Sequence, residues 1–454
     1  MLCKKNILII FNSDIFENTT DLNEIRQEEE IRGGISEVAS KIGNILKNIS
    51  NSKIYYLMIN NAYQIKKYLD SNTKFDLIVN LCEPIFSIFE HESTVVSLIE
   101  KTNIPYTGNP SHVLKLTSNK YYFNDLLKKH GLPSLESYLF SKLSDFEEWL
   151  EQNPCLEYPF IVKLNSEDSS LGIDHSSVVY NKKALTSRVL TKLKRYKQDV
   201  LIQRYIDGRE IHVAYYGFNP VTILGVSELD FSELPQNHPR IYTYSAKWDN
   251  DSDDYKKIYI CESKMEDEIQ SKMKDIALKI IELFDFKGYG RLDFRLSKKG
   301  TPYLIDANPN CNISDNSCFA VIASRINLTY EDIIIDLCKK AIETKVKTSK
   351  QSRFIDKPQL ENNIDGIDLE YSPMLKKSWI DKIKNAGLKT AIWSYKEDDT
   401  IENAKKMQQI GIDYYTTNYP KKYREQLYDI PYKKQDEATI SDTIKNTLDN
   451  DCLK

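Results

Sequence analysis

The 454-residue sequence lacks long apolar runs, a large excess of charge of either sign, and paired cysteines. No apolar stretch approaches the roughly 20 residues that a membrane-spanning helix needs, so we expect no membrane partner. The formal net charge of −4 offers no basic surface on the scale that nucleic acid binding requires, so we expect no nucleic acid partner either. The eight cysteines are scattered without CxxC spacing, as is usual for reduced thiols in a cytoplasm.

The amino terminus has the charge and apolar pattern of a signal peptide but no small-residue cleavage site. The apolar strand predicted over residues 4–11 stops at the polar residues 12–14. This pattern favours a first buried strand and a cytoplasmic location. The sequence also has no low-complexity tract, and its 41% hydrophobic and 28% charged residues are typical of a folded globular protein.

Length and pattern together predict about three domains. Alternating strand and helix patterns predict an open α/β domain over residues 1–115. The predicted elements after it are helices at 116–131, 265–284 and 330–345 and strands at 160–163, 200–203 and 211–216, which we divide into parts 116–200 and 201–345. Residues 346–356 are polar and are predicted to be a linker, residues 357–430 repeat a βα unit, and residues 431–454 form a polar tail.

A predicted β-hairpin near residue 300 is the most informative segment. Two apolar runs, Tyr289–Leu296 and Pro302–Asp306, flank the turn residues Ser297–Gly300. Because side chains alternate along a strand, residues 291, 293 and 295 share one face of the first strand, and residues 306 and 308 share one face of the second.

The shared faces of this hairpin carry Arg291, Asp293, Asp306 and Asn308. Carboxylate and amide oxygens are the ligands that a hard cation such as Mg²⁺ prefers. An arginine one step away on the same strand can stabilise negative charge that develops beside the metal. The hairpin therefore predicts phosphoryl chemistry.

Two other polar segments could contact a nucleotide. Lys163 ends a predicted strand and precedes a Ser/Gly loop, and an ammonium beside such a loop suits a phosphate group. An ordinary surface hairpin is the alternative interpretation. Further on, Gln203 ends a strand where it could contact an adenine amino group, and Glu210 could accept hydrogen bonds from ribose hydroxyls.

The order of the motifs along the chain is more specific than any one of them. It runs through Lys120, Lys163, Ser169-Ser170-Leu171-Gly172, Gln203 with Glu210, Tyr244-Ser-Ala-Lys247-Trp, Arg291-x-Asp293 and Asp306-x-Asn308. Residues 70–345 resemble the ATP-grasp superfamily, and within it the D-alanine–D-alanine ligase group. The resemblance implies an α/β and α+β protein, in which an open α/β pre-ATP-grasp domain precedes the ATP-grasp fold and a small partial (β/α) barrel-like domain follows it.

The resemblance also implies an enzyme, an ATP-dependent carboxylate–amine ligase that works through an acyl phosphate. Its cofactors would be ATP and Mg²⁺ (or Mn²⁺), and its substrates small amino acids or peptides. The resemblance implies nucleotide-binding roles: Lys120, Lys163 and the loop Ser169, Ser170, Leu171 and Gly172 would contact phosphates, Gln203, Tyr205 and Ile206 would line the adenine slot, and Glu210 would contact the ribose. It implies metal ligation by Asp293, Asp306 and Asn308. It also implies catalytic roles for Lys247, on the transferred phosphate, and for Arg291, on the tetrahedral intermediate.

The sequence departs from the group's pattern at several positions. Asp306 and Gln203 stand where the group usually has glutamate. The segments 81–92 and 309–318 also differ, where amino-acid substrates would bind, so we expect a product other than dialanine. Glu37, Glu83, Glu90 and Glu92 are candidate substrate contacts, although solvated charges are the simpler interpretation. For His91 a capping role, for His212 a satisfied place in a sheet, and for Cys311 a buried apolar role are expected.

The carboxyl-terminal part has a resemblance of its own. Residues 364–370, 387–394 and 411–420 look like the closing βα units of glycerophosphodiester phosphodiesterases, with Asp368 and Glu370 as a partial metal pattern. Those enzymes use a pair of histidines, whereas residues 346–454 contain none, so we expect a structural or dimer-forming fragment. Two other functions stay open: a ligase that modifies a peptide or protein side chain, and a non-catalytic nucleotide-binding module whose tail is the interaction part.

Overall fold

A computed structural model describes residues 4–12, 34–59, 62–69, 74–83, 89–167, 170–354, 366–370, 377, 380–381, 389–393, 400–409, 412 and 414–416. The chain forms two compact units, residues 1–352 and residues 353–454. Each unit is described by itself.

The first unit begins with a parallel three-stranded sheet of order β2-β1-β3. Its strands are β1 (Asn6–Asn12), β2 (Lys53–Ile59) and β3 (Leu77–Asn80), and its helices are α1 (Ile35–Ser50), α2 (Tyr63–Leu69) and α3 (Phe89–Glu100). The apolar residues 7–11 of strand β1 are all buried because β1 lies at the centre of the sheet. The predicted open α/β arrangement is confirmed.

The single helix predicted over residues 116–131 is wrong, because the chain forms two helices there. Helix α4 spans Ser111–Thr117 and helix α5 spans Lys120–Lys129. The side chain of Asn119 accepts a hydrogen bond from the backbone N–H of Tyr122 and so caps the second helix. A side chain that caps a helix start satisfies a donor that the helix itself leaves unpaired.

A four-stranded antiparallel sheet of order β4-β7-β5-β6 follows. It comprises β4 (Ser137–Phe140), β5 (Phe160–Leu164), β6 (Val178–Val179) and β7 (Val200–Arg204), and helices α6 (Leu143–Gln152) and α7 (Lys182–Tyr196) share a core with it. Phe140, Phe146 and Phe160 lie in its core. We call this the small sheet. The domain boundary that we placed between residues 200 and 201 falls inside β7, which pairs with β4 and β5 along its whole length.

A larger antiparallel sheet of order β10-β9-β8-β11-β12 faces the small sheet across a cleft. Its strands are β8 (Gly208–Gly217), β9 (Val221–Asp230), β10 (Tyr259–Cys261), β11 (Gly288–Ser297) and β12 (Pro302–Pro309). Helices α8 (Tyr244–Trp248), α9 (Asp253–Lys257), α10 (Asp267–Leu283) and α11 (Cys318–Ser324) accompany them. The predicted hairpin is confirmed as β11 and β12, which pair in antiparallel register.

Helix α12 closes the first unit and spans Tyr330–Phe354. The division between the two units, at residues 352 and 353, falls within the predicted linker at residues 346–356, and the helix continues through residue 354. The polar composition of this stretch does not prevent helix formation, since Lys, Gln, Glu and Arg are good helix formers. Within the described residues, no helix is both long and apolar enough to cross a membrane.

The second unit contains a parallel three-stranded sheet of order β13-β14-β15. Its described elements are β13 (Gly366–Glu370), β14 (Lys389–Trp393), helix α13 (Ile401–Gln409) and β15 (Tyr414–Thr416). Ala404 and Met407 of α13 are buried. These elements agree with the predicted repeat of βα units over residues 357–430. The tail 431–454 lies outside the described residues.

Candidate functional site

A cleft lies between the small and large sheets and is lined by side chains from both. The predicted site residues that line it are Lys120, Lys163, Ser170, Leu171, Gln203, Tyr205, Ile206, Glu210, Lys247, Arg291, Asp293 and Asp306. Residues that are far apart in the chain are thus brought to one place by the pairing of the strands.

The acidic end of the cleft is formed by the hairpin. Strand pairing places Asp293 opposite Asp306, and Arg291 opposite Asn308. The Nδ2 of Asn308 donates to Oδ2 of Asp293 over 2.9 Å. The three predicted metal ligands therefore lie together, with a register irregularity just after Asp293.

Arg291 is held against Asp293 by two hydrogen bonds. Its Nε donates to Oδ1 over 2.6 Å and its Nη2 donates to Oδ2 over 2.9 Å. Burial alone would raise the pKa of Asp293, but the Arg291 guanidinium and the His212 imidazole lower it to about 2. The carboxylate is therefore ionised at neutral pH, as a metal ligand must be.

Lysines from the small-sheet side reach strand β12. Lys120, which is only 8% exposed, donates from Nζ to Oδ1 of Asp306 over 2.5 Å. Lys163 donates from Nζ to the carbonyl oxygen of Ile305 over 3.0 Å. Lys247 lines the cleft from the other side, and burial together with the Arg291 guanidinium lowers its pKa. Three amines thus surround the acidic end.

The opposite end of the cleft offers a buried acceptor beside apolar groups. The Nε2 of Gln203 donates to Oγ of Ser137 over 3.0 Å, and its Oε1 is buried with no hydrogen-bond partner among the described residues. Tyr205, Ile206 and Ile161 line the same region. Because a buried acceptor without a donor is costly, this end suits a flat apolar ring that carries an amino group. The adenine of ATP has that chemistry, so the chain's own residues fit the base.

Glu210 lies in the cleft in an ion pair with Arg295. Nη1 of Arg295 donates to Oε2 of Glu210 over 3.2 Å, and its other nitrogens donate to the carbonyl oxygen of Ile206 over 3.0 and 2.9 Å. Arg295 thus anchors the turn after β7 to strand β11. We assigned no role to Arg295 from the sequence, although its alternation with Arg291 and Asp293 on one face of the strand was a usable signal.

His212 is a further cleft residue that we expected to be a satisfied sheet residue. Its Nε2 is buried without a hydrogen-bond partner among the described residues, 3.7 Å from Oε1 of Glu210 and 3.8 Å from Oδ1 of Asp293. Although burial opposes the charged form, Asp293 raises the pKa of His212 to about 9. The expectation of a satisfied side chain therefore holds for Nδ1, which lies 3.4 Å from Sγ of Cys318, but not for Nε2. The signal that we missed is its alternation with Glu210 on strand β8.

The Ser/Gly loop is anchored from behind. Ser170 donates from Oγ to the carbonyl oxygen of Tyr242 over 2.9 Å. The carbonyl oxygen of Gly172 accepts from Nζ of Lys192 over 2.6 Å and from Nη2 of Arg188 over 3.0 Å. Ser169 lies outside the described residues. Lys192 and Arg188 therefore hold the loop at Gly172, while Ser170 and Leu171 line the cleft.

A second cleft, of about 1120 Å³, is lined partly by segment 310–316. Glu37, Glu83 and Trp248 also line it, and Trp248 follows Lys247 of the first cleft directly in the chain. Glu92 accepts a hydrogen bond from Asn310 over 3.1 Å, which supports a structural role. The side chains of Glu90 and His91 lie outside the described residues.

Cys311 borders this second cleft but is buried in the core. Burial raises the pKa of its thiol to about 12. A thiol with such a pKa is a poor nucleophile at neutral pH, because the thiolate is the reactive form. The apolar role expected for Cys311 is therefore supported.

Comparisons with known proteins agree with the fold and the cleft. Residues 126–339 match the family model "D-ala D-ala ligase C-terminus". A D-alanine–D-alanine ligase of Desulforamulus reducens is 25% identical over 261 residues, 56% of this chain and 78% of that protein. An uncharacterised protein of Sinorhizobium fredii is 28% identical over 258 residues, 57% of this chain and 72% of that protein.

Solved structures show the same fold at low identity. The D-alanine–D-alanine ligase from Bacillus anthracis complexed with ATP has a TM-score of 0.57 at 16% identity and covers 76% of this chain and 99% of that chain. The VanG D-Ala:D-Ser ligase from Enterococcus faecalis has a TM-score of 0.57 at 17% identity and covers 74% of this chain and 99% of that chain.

The two facing sheets and the cleft between them have the ATP-grasp fold of these solved ligases. With the family match over residues 126–339, the chain is similar to the D-alanine–D-alanine ligases.

Proposed function

We propose that this ligase joins a carboxylate to an amine through an acyl phosphate and that its product is not D-alanyl-D-alanine. The observation that carries the proposal is the convergence of Lys120, Lys247, Arg291, Asp293 and Asp306 on one end of a cleft. Amines and ionised carboxylates arranged around one point suit the transfer of a highly charged phosphoryl group.

The proposed roles follow from the positions of the side chains. ATP supplies the phosphoryl group that activates the substrate carboxylate, and Mg²⁺ offsets its charge. Asp293, Asp306 and Asn308 would hold the metal, and Lys120, which donates to Asp306, would contact a phosphate oxygen. Arg291 would stabilise the oxyanion that forms when the amine attacks the acyl carbon.

Other side chains would bind the nucleotide. Lys163 and the loop of Ser169, Ser170, Leu171 and Gly172 would contact phosphates, and Lys247 would contact the transferred group. The Oε1 of Gln203 would accept from the adenine amino group, beside Tyr205 and Ile206. Glu210, held in place by Arg295, would contact the ribose.

The second cleft supports an amino-acid or peptide substrate of altered identity. The side chains of Glu37 and Glu83 give this cleft acidic character, which favours a substrate with an ammonium group. Lys41, which also lines it, forms an ion pair with Asp315. Asp315 lies in the segment that departs from the ligase group's pattern. A carboxylate at this place would disfavour an acceptor carboxylate, so the acceptor would differ from D-alanine.

The test is release of ADP and phosphate by the purified chain with ATP, Mg²⁺ and a panel of D- and L-amino acids, amines and peptides. We expect turnover with some member of the panel other than D-alanine alone. Arg291→Ala should reduce kcat by roughly 100-fold or more and leave the ATP dissociation constant nearly unchanged, because the arginine acts on the intermediate. The exposed Arg325→Ala is the matched control and should retain full turnover.

Other outcomes would favour the alternatives. Turnover only with a folded protein or peptide partner would indicate a ligase for side chains. ATP binding without turnover in any condition would indicate a non-catalytic nucleotide-binding module. Equal losses of turnover and ATP affinity in Arg291→Ala would contradict the proposed role of Arg291 on the intermediate, but not the other proposed roles.

A further inference from the structure

A group of two histidines and one aspartate lies beside the Ser/Gly loop. One ligand atom each from His175, His238 and Asp254 lie within 4.8 Å of one another. The Nε2 of His175 lies 3.0 Å from Oδ1 and 2.9 Å from Oδ2 of Asp254. The rings of His175 and His238 are 4.2 Å apart between centroids. Neither the nucleotide cleft nor the second cleft includes these three residues.

Two nitrogens of this group have no partner. Nδ1 of His175 and Nδ1 of His238 are both buried and lack a hydrogen bond within the described part of the chain. Leaving a buried polar atom unpaired costs about 1–3 kcal/mol. A single partner could satisfy both nitrogens together with the carboxylate of the group. A cation that accepts nitrogen ligands would be such a partner.

The carboxylate of the group is already oriented as a ligand would be. Oδ2 of Asp254 accepts from Oγ1 of Thr243 over 2.6 Å and from Oγ of Ser245 over 3.3 Å. Hydrogen bonds of this kind, made by residues behind the ligands, fix the orientation of metal-binding side chains. The set of two imidazoles and one carboxylate excludes Mg²⁺ and Ca²⁺, which prefer oxygen, and is typical of Zn²⁺ with one position left for water.

The three residues come from two separate segments over the cleft. His175 follows the Ser/Gly loop and lies on the small-sheet side, whereas His238 and Asp254 belong to segment 231–258, which also carries Lys247. The backbone of Tyr244 already donates to the carbonyl oxygen of Ile173 over 2.9 Å. We propose that His175, His238 and Asp254 form a Zn²⁺ site that ties the Ser/Gly loop to segment 231–258.

The experiment uses the full chain, freed of metal with a chelator and kept free of nucleotide. Co²⁺, as a coloured probe for Zn²⁺, is titrated in while its visible absorption is recorded, and Zn²⁺ is then used to displace it. We expect one ion per chain, with affinity reduced at least about 100-fold in His238→Ala and in Asp254→Asn.

Two control variants define the site. His112→Ala removes an exposed histidine that faces Asp285 at 3.7 Å without a second histidine, and it should bind Co²⁺ as the unaltered chain does. Asp306→Ala, altered in the nucleotide cleft, should also bind normally. This separates the metal site from the ligase proposal, because loss of turnover in Asp306→Ala leaves the binding measurement intact.

Proteolysis gives a second measurement. Zn²⁺ should slow tryptic cleavage at the exposed Lys256 in the unaltered chain but not in His238→Ala, because the ion restrains segment 231–258. Absence of Co²⁺ binding to the unaltered chain at micromolar concentration, or equal affinity in His238→Ala, would overturn the proposed site. Equal cleavage with and without Zn²⁺ would overturn its role in tying the segments.

Discussion

At the scale of single residues, Lys192 is the most unusual side chain outside the clefts. It is 1% exposed, and its Nζ donates to the carbonyl oxygen of Gly172 over 2.6 Å. Burial, together with the nearby Arg188 guanidinium, lowers its pKa to about 7. Burial of a charged lysine side chain costs free energy. The contact with the Ser/Gly loop explains why a lysine is buried at this position.

Lys192 should make the stability of the protein depend on pH. Between pH 7 and the ordinary lysine pKa of 10.5, the unfolded chain binds the proton that the folded chain has released, so stability rises with pH in this window. Lys192→Met should remove this rise, which is at most about 1.4 kcal/mol per pH unit. Urea unfolding from pH 7 to pH 10 measures the effect.

The control for this prediction is Lys194→Met, which alters an exposed lysine on the same helix. It should follow the pH dependence of the unaltered chain. Parallel curves for Lys192→Met and the unaltered chain would show that Lys192 keeps its proton in the fold and would contradict the prediction.

Individual site residues differ in how far their contacts follow from the sequence. The neighbourhood of Arg291 and Asp293 was predictable, because both lie on one strand face. The contact of Lys120 with Asp306 joins positions 186 residues apart and depends on how the two sheets face each other. The sequence likewise could not show that Oε1 of Gln203 has no hydrogen-bond partner among the described residues. The orientation of this amide depends on Ser137, which lies on a different strand.

At the scale of elements, the Ser/Gly loop depends on a glycine that no other residue can replace without strain. Gly172 has a φ of +68°, and a Cβ there would lie 2.9 Å from Oη of Tyr196 and 3.2 Å from Nζ of Lys192. Gly131 has the same φ of +68°, but no described atom lies within 4 Å of where its Cβ would be. The pair separates backbone strain from crowding.

Gly172→Ala should weaken ATP binding, because the loop must shift to make room for the methyl group. We expect an ATP dissociation constant roughly 10-fold higher, which corresponds to about 1.4 kcal/mol. Gly131→Ala should lower the free energy of unfolding by about 1 kcal/mol, because alanine disfavours the left-handed backbone, but it should keep its ATP affinity. Calorimetric titration with ATP and thermal unfolding measure the two effects. Equal ATP affinities in the two variants would show that the loop does not bear on the nucleotide.

The helices and strands predicted from the sequence are correct where the local pattern is strong. The prediction fails where a capping side chain divides a helix. The hairpin β11–β12 follows from alternation around a turn, and it is present. The helix predicted over 116–131 was divided by Asn119, whose capping role depends on the path of the chain before it. The polar stretch after residue 345 continued as a helix, because polarity marks exposure and does not by itself mark a linker.

At the scale of the whole molecule, the nucleotide cleft belongs to a single compact unit. All residues that line it fall within residues 1–352. A chain that ends at Phe354, the last residue of α12, is therefore expected to bind ATP with unchanged affinity. If the tail forms a dimer, the shortened chain will also be a monomer where the full chain is not.

Calorimetry and light scattering of both chains provide the measurements. Loss of ATP binding in a shortened chain that retains its circular dichroism spectrum would contradict the independence of the first unit. A dimer in both chains would place the dimer contact in residues 1–354 and would leave the tail without an assembly role. The resemblance of the tail to phosphodiesterase βα units stays a prediction.

The sequence alone determined the kinds of chemical group present and their order along the chain. Local periodicity specified the strands and the turn that carry Arg291, Asp293, Asp306 and Asn308, because alternation and turn geometry act over a few residues. The ordered motifs then indicated the class of ligase. None of this depended on contacts between distant segments.

Only the tertiary structure decided which groups meet. The position of Lys120 on Asp306, the buried His212 between Glu210 and Asp293, and the cluster of His175, His238 and Asp254 all join segments that are separate in the chain. Such meetings depend on how sheets and loops pack, and packing energy is spread over many weak contacts that no short pattern records.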